Sequence, residues 1–167
     1  MTILDLTPIS QLRRNHGLEH ATINILSQWF PDKPVAGYSG PGGFVILGGL
    51  PTEHIRDAVA QALARLNNGE RHLAIHPGCG TNMVASGFVA GLLAWLGMAG
   101  VKTKREKVER LPLVLSLATL GLILGQPLGP VIQEQVTTSG DPAGMTIVDI
   151  FPVKFGRFSM HRVITRG

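Results

Sequence analysis

Two long stretches without charge decide what this chain can fold into. Between Arg71 and Lys102 there is no Asp, Glu, Lys or Arg, and within that gap residues 82–101 read NMVASGFVAGLLAWLGMAGV. As a helix, about 20 residues rise ~30 Å, the thickness of a bilayer's hydrocarbon layer. A second uncharged run, residues 111–133, reads LPLVLSLATLGLILGQPLGPVIQ. Pro112 stands near its start, where a missing N–H costs little, and Gly125, Pro127, Gly129 and Pro130 are expected to bend or end it. The alternative for each run is a buried core helix, but a chain of 167 residues has little left with which to cover two such helices on all sides. Two membrane spans are the expectation.

Charge supports this reading. Charged residues make up 16% of the chain, against about 25% in soluble domains. Five of the 15 basic residues (Lys102, Lys104, Arg105, Lys107 and Arg110) fall in the nine residues between the runs. Positive-inside reasoning places this basic loop, 102–110, in the cytoplasm. The first 80 residues contain no apolar signal segment that would export them, so the side on which the polar part lies stays open. The expected location is a membrane, crossed more than once, with the lipid bilayer as the main partner. Nucleic acid is excluded as a partner, since aromatics at 5% are too few for the stacking platforms of single-strand binders.

The spans themselves carry no charged residue and no histidine, which excludes an intramembrane proton relay or a histidine-held haem. They read as an anchor. Gly87-x-x-x-Gly91 in the first and Gly121-x-x-x-Gly125-x-x-x-Gly129 in the second each align small residues on one helix face. Such faces suit packing of the two spans on each other or on another membrane protein's helices.

The polar remainder predicts an α+β fold: residues 1–81 as one domain, the spans at 82–101 and 111–133, and residues 134–167 returning as strands to the first domain. Thr7-Pro8 followed by Ile9, Leu12, Leu18, Ala21, Ile25 and Trp29 predicts an amphipathic helix ending before Pro31. Residues 34–50 hold six glycines around short apolar pieces, the pattern of a hairpin. They match neither G-x-G-x-x-G nor G-x-x-x-x-G-K-[ST], which excludes those nucleotide sites. Thr52 is the expected cap of a second helix running to about Leu66, with Asn67-Asn68-Gly69 closing it. Residues 72–76 (HLAIH) read as a short strand, and residues 145–151 and 158–164 as two strands separated by Pro152.

Chemistry concentrates in His16-Gly17-Leu18-Glu19-His20. On a helix His16 and His20 are one turn apart and share a face; Glu19 lies about 60° from His16 and about 100° from His20. Two neutral imidazoles suit Zn2+, and an adjacent carboxylate can take a proton from the water that zinc activates. The order H-x-x-E-H resembles that of the inverzincin metallopeptidases, the reverse of H-E-x-x-H. That resemblance implies a further glutamate some seventy residues downstream as third ligand. Here that window falls in the first uncharged run, which contains none.

The remaining ligands are therefore sought in His76-Pro77-Gly78-Cys79. A His and a Cys three apart on a Gly/Pro turn can face one centre, as in zinc turns. The lone cysteine already rules out an internal disulfide and an all-cysteine site. His16, His20 and His76 with an open position would be catalytic, with Glu19 as the base; adding Cys79 would close the site and make it structural. Asn15, Thr22, Thr81 and Asn82 are candidates for supporting hydrogen bonds. The plainer alternative is a polar helix face with Glu19 paired to Arg13 or Arg14. His54, His72 and His161 lack partnered spacing and read as surface or strand-end residues.

Taken together, N-H-G-L-E-H-A-T (15–22), H-P-G-C-G-T-N (76–82) and two apolar runs make the chain similar to an uncharacterised family of small bacterial membrane proteins found in cyanobacteria and related phototrophs. The resemblance implies a bacterial inner-membrane protein and carries no activity. Two functions follow as expectations: a membrane-anchored zinc-dependent hydrolase, conceivably a peptidase, or a non-enzymatic accessory or assembly subunit of a larger membrane complex.

Overall fold

A computed structural model describes residues 2–156 and 158–167; Met1, the first residue of the expected first domain, lies outside them. The chain divides into two compact units, residues 1–76 with 133–167 and residues 77–132. The first unit contains α1 (Ile9–Trp29), β1 (Ala36–Gly40), β2 (Gly43–Leu47), α2 (Thr52–Asn67), a 3-10 turn (Arg71–Ala74), a π-helical turn (Gln133–Thr137), β3 (Thr146–Phe155) and β4 (Phe158–Arg166). The four strands form one antiparallel sheet in the order β1-β2-β4-β3. The fold is α+β, with β3 and β4 paired into the same sheet as β1 and β2.

The helix and strand periods explain the layering. On α1, Leu18, Ala21, Ile25 and Leu26 recur at three- and four-residue steps and are buried. On α2, Ile55, Ala58, Val59, Ala62 and Leu66 do the same. In the strands every second residue turns inward. Phe44, Ile46, Ile150 and Val163 thus meet the two helices in one core, while Tyr38, Val45, Phe151 and Arg162 lie on the opposite face of the sheet.

Three local expectations are corrected here. Residues 72–76 form no strand, because α1 side chains take their carbonyls: His20 Nδ1 lies 2.8 Å from Ala74 O, and Asn24 Nδ2 donates to Leu73 O and Ile75 O at 3.0 and 3.1 Å. Pro152 does not divide two strands but sits inside β3. That strand is at the sheet's edge, where an absent N–H breaks no ladder. Thr52 is not the cap of α2: Pro51 takes that position and Thr52 is the first helical residue, with its Oγ1 3.0 Å from His161 Nε2.

The second unit contains α3 (Gly80–Gly97), α4 (Lys104–Gly125) and α5 (Leu128–Ile132). Helices α3 and α4 are long and apolar enough to cross a membrane. Most of the expected loop 102–110 is helical: Thr103 Oγ1 accepts from Glu106 N at 3.2 Å, capping α4 so that it starts at Lys104. The second run ends α4 at Gly125 and resumes as α5 past Pro127.

Glycines set the contact within this unit. A Cβ at Gly121 would stand 2.5 Å from Ala90 Cα, and one at Gly125 2.5 Å from Ser86 Cα. At Gly129 it would overlap Asn82. The line 121–125–129 therefore meets the line 90–86–82 of α3, each at four-residue spacing. Gly87 and Gly91 have open space around them, so the glycine pair expected to bring the first helix close to its neighbour faces outward instead.

Candidate metal centre

Helix α1 presents the candidate ligands. His16 and His20 stand one turn apart with ring centroids 4.3 Å apart and planes at 62°, and a ligating atom of one lies within 4.8 Å of one on the other. His20 is 2% exposed; His16 is half-buried. The His76 ring lies next to His20, with centroids 5.7 Å apart. The three histidines are thus brought together within the first unit.

Backbone carbonyls fix the two α1 rings. His16 Nδ1 is 3.0 Å from Thr137 O, and His20 Nδ1 is 2.8 Å from Ala74 O. A carbonyl oxygen only accepts, so each Nδ1 must carry the proton and each Nε2 the lone pair. That is the tautomer in which an imidazole ligates metal through Nε2, with its other nitrogen held by a backbone carbonyl. Nitrogens on one tetrahedral zinc stand about 3.3 Å apart, given Zn–N bonds of about 2.0–2.1 Å. In this structure a ligating nitrogen of His16 and one of His20 lie within 4.8 Å of each other.

Close packing holds this arrangement. A Cβ at Gly17 would overlap Ser139 O and come within 3.3 Å of Ala74 Cβ, so the glycine between the two histidines lets the 139 segment and the 3-10 turn approach the helix. Gln133 secures His76: its Oε1 accepts from His76 N at 2.9 Å and its Nε2 donates to His76 O at 3.1 Å. Gln133 is fully buried, and its own carbonyl accepts from Thr138 N and Oγ1, both at 2.9 Å. Sequence reasoning missed Gln133 because it ends an apolar run. A buried amide at the end of such a run was the available signal.

Glu19 is buried, at 4% exposure, and faces β1. Its Oε2 accepts from Ser39 Oγ, and a Cβ at Gly37 would overlap Oε1. Arg13, its proposed surface partner, donates from Nη2 to Gln135 O at 3.1 Å. Cys79 is buried and belongs to the second unit, at the residue that precedes α3.

The expected supporting residues do other work. Asn15 Nδ2 donates to Gly40 O and Pro41 O at 2.8 and 3.0 Å, and its Oδ1 accepts from Thr165 Oγ1 at 2.6 Å; it clamps the β1–β2 turn to the last strand. Thr22 Oγ1 donates to Leu18 O at 2.7 Å within α1. Asn82 Nδ2 donates to Pro77 O at 2.7 Å. His161, expected at the surface or a strand end, is buried inside β4. Burial pushes its imidazole below the usual histidine range.

Residues 11–150 match a domain of unknown function, DUF6391. An uncharacterized protein of a Picosynechococcus strain is 30% identical over 141 residues, covering 77% of this chain. The chain spans 66% of that relative's length, just under two thirds. No solved structure matches the chain.

Proposed function

The chain belongs to the DUF6391 family, and from that premise we propose that it is a membrane-anchored protein whose polar unit holds a zinc-class ion on His16, His20 and His76. Cys79, three residues beyond His76 in a Pro-Gly turn, completes the ligand set. The observation that carries this reading is that three histidines stand together, with a backbone carbonyl at the Nδ1 of each α1 imidazole, which is the tautomer that ligates metal through Nε2. Helices α3 and α4 are the two spans, in a bacterial inner membrane, with the basic segment 102–110 on the cytoplasmic side.

In the enzymatic form Cys79 leaves that set, the fourth position stays open, and the protein is a hydrolase. Zinc, when bound, supplies Lewis acidity. Glu19 accepts a proton through its buried carboxylate, Ser39 orients that carboxylate, and the Gln133 amide holds the backbone that carries His76. Substrates at this depth would be membrane-protein tails or lipid-derived groups.

One observation favours a second reading, an accessory subunit of a larger membrane complex. Gly87 and Gly91 have room for a foreign helix backbone.

Elemental analysis of the purified full chain separates these readings. The expected result is near one zinc per chain, lost together with turnover in His16→Ala and His20→Ala, and retained in Glu19→Gln, which loses turnover alone. Wild-type protein without stoichiometric metal overturns the metal site. Metal with no Glu19-dependent turnover, together with a stable co-purifying partner, supports the accessory role.

A further inference from the structure

The sheet of the first unit has one face packed on helices and one face open. Three cross-strand rows line the open side: Tyr38–Val45–Arg162–Phe151, Ala36–Leu47–Met160–Val153 and Gly40–Gly43–Ile164–Asp149. Tyr38 is 74% exposed and Phe151 37% exposed, while Val45, Leu47, Met160, Val153 and Ile164 are half-buried. An apolar sheet face with aromatic residues at its two edges is the kind of surface that marks an interaction site.

Charge selects the occupant. The open face carries two basic side chains, Arg162 and Arg166, against one carboxylate, Asp149 on the edge strand. Arg162 stands in a central row of the open face, with Arg166 on the same side of β4. Two copies stacked face to face about a two-fold axis would bring like charges together, which disfavours self-association. An anionic lipid surface satisfies both features, apolar side chains at the acyl boundary and basic groups at the phosphates.

Short connectors join the first unit to the helices proposed as spans. Only Pro77, Gly78 and Cys79 separate His76 from α3, about 14 Å at full extension. At the other end α5 runs directly into Gln133. We propose that the open face of the β1-β2-β4-β3 sheet lies on the headgroup layer of an anionic bilayer. This rests on the reading of α3 and α4 as membrane spans.

Photo-crosslinking in proteoliposomes tests it. The full chain, with p-benzoylphenylalanine replacing Tyr38, Phe151 or (on the exposed side of α2) Gln61, is reconstituted in phosphatidylcholine vesicles with and without phosphatidylglycerol. Adducts are then read by mass spectrometry. The expected result is lipid adducts from positions 38 and 151 and few from 61, enriched by phosphatidylglycerol. Arg162→Ala should lower them roughly fivefold, the factor that one basic side chain contributes at an anionic surface. Equal lipid labelling at all three positions, or chain-to-chain adducts from 38 and 151, overturns the proposal. Alkaline carbonate extraction of the same vesicles tests the spans separately: a chain that stays in the pellet without lipid adducts at 38 and 151 keeps its spans and loses this docking face.

Discussion

The two units pack by opposite rules. In the first, the buried side chains are large (Phe44, Leu18, Ile25, Leu26, Ile46, Ile55), and polar residues such as Asn15, Glu19, His20 and Gln133 are buried with partners. In the second, the buried positions among the described residues are Cys79, Ala85, Ala90, Gly97, Gly121, Gly125 and Gly129, while Phe88 and Trp95 are 72% and 69% exposed. A chain folding in water gains by hiding its large apolar groups. A chain whose surroundings are already apolar gains instead from close backbone contact through small residues. The contrast is what units built for different solvents would give, and it is the physical support for the proposed spans.

Substitutions that exchange the rules should break this contrast. Phe44→Ala, in the first unit, should cost about 3–5 kcal/mol in denaturant unfolding, while Phe88→Ala, on the outside of α3, should leave stability in detergent nearly unchanged. A large loss for Phe88→Ala would place that ring in a core. Next in size, Gly125→Val should cost about 1–3 kcal/mol by overpacking against Ser86, with Gly87→Val harmless. Equal losses at 125 and 87, measured by thermal melting in detergent, would show that both helix faces are packed.

The burial of His161 sharpens the comparison within the first unit. Its imidazole is held below the usual histidine range, so the unfolded chain takes up a proton more readily than the folded one. Stability is then fully present above about pH 6.5 and is lost as pH falls toward the folded-state value. His161→Gln should flatten the acid side of the melting-temperature profile; an unchanged slope would assign that loss to other groups. The smallest effect belongs to the surface. The Arg65 guanidinium hydrogen-bonds both Glu70 oxygens and holds that carboxyl below its usual range, but the pair is solvent-screened. Glu70→Gln should leave the melting temperature within error, and a drop of several degrees would mean that the bridge anchors the 3-10 turn.

Much of this architecture was legible because it rests on local periods. The apolar spacing on α1 and α2 marked both helices, and the glycines from 37 to 49 marked the β1–β2 hairpin. What escaped depended on partners distant in sequence. Nothing in HLAIH announces that His20 and Asn24, some fifty residues earlier, would take its carbonyls. Pro152 reads as a strand breaker until β3 is known to be an edge. Gln133 looked like the last residue of an apolar run, and His161 like a lone strand-end histidine, because a buried hydrogen bond leaves no spacing behind. At the candidate site, the one-turn spacing of His16 and His20 was readable, whereas the carbonyls that fix their tautomers and the Ser39–Glu19 contact came only with the fold.

Cobalt substitution tests the metal centre most directly, because Co2+ reports its own ligands. The full chain titrated with Co2+ in mild detergent should develop intense tetrahedral visible bands that saturate at one equivalent. A thiolate charge-transfer band in the near ultraviolet should accompany them and disappear in Cys79→Ser. His20→Ala should abolish the visible bands. Weak octahedral absorption that no substitution at His16, His20, His76 or Cys79 alters would contradict the assignment.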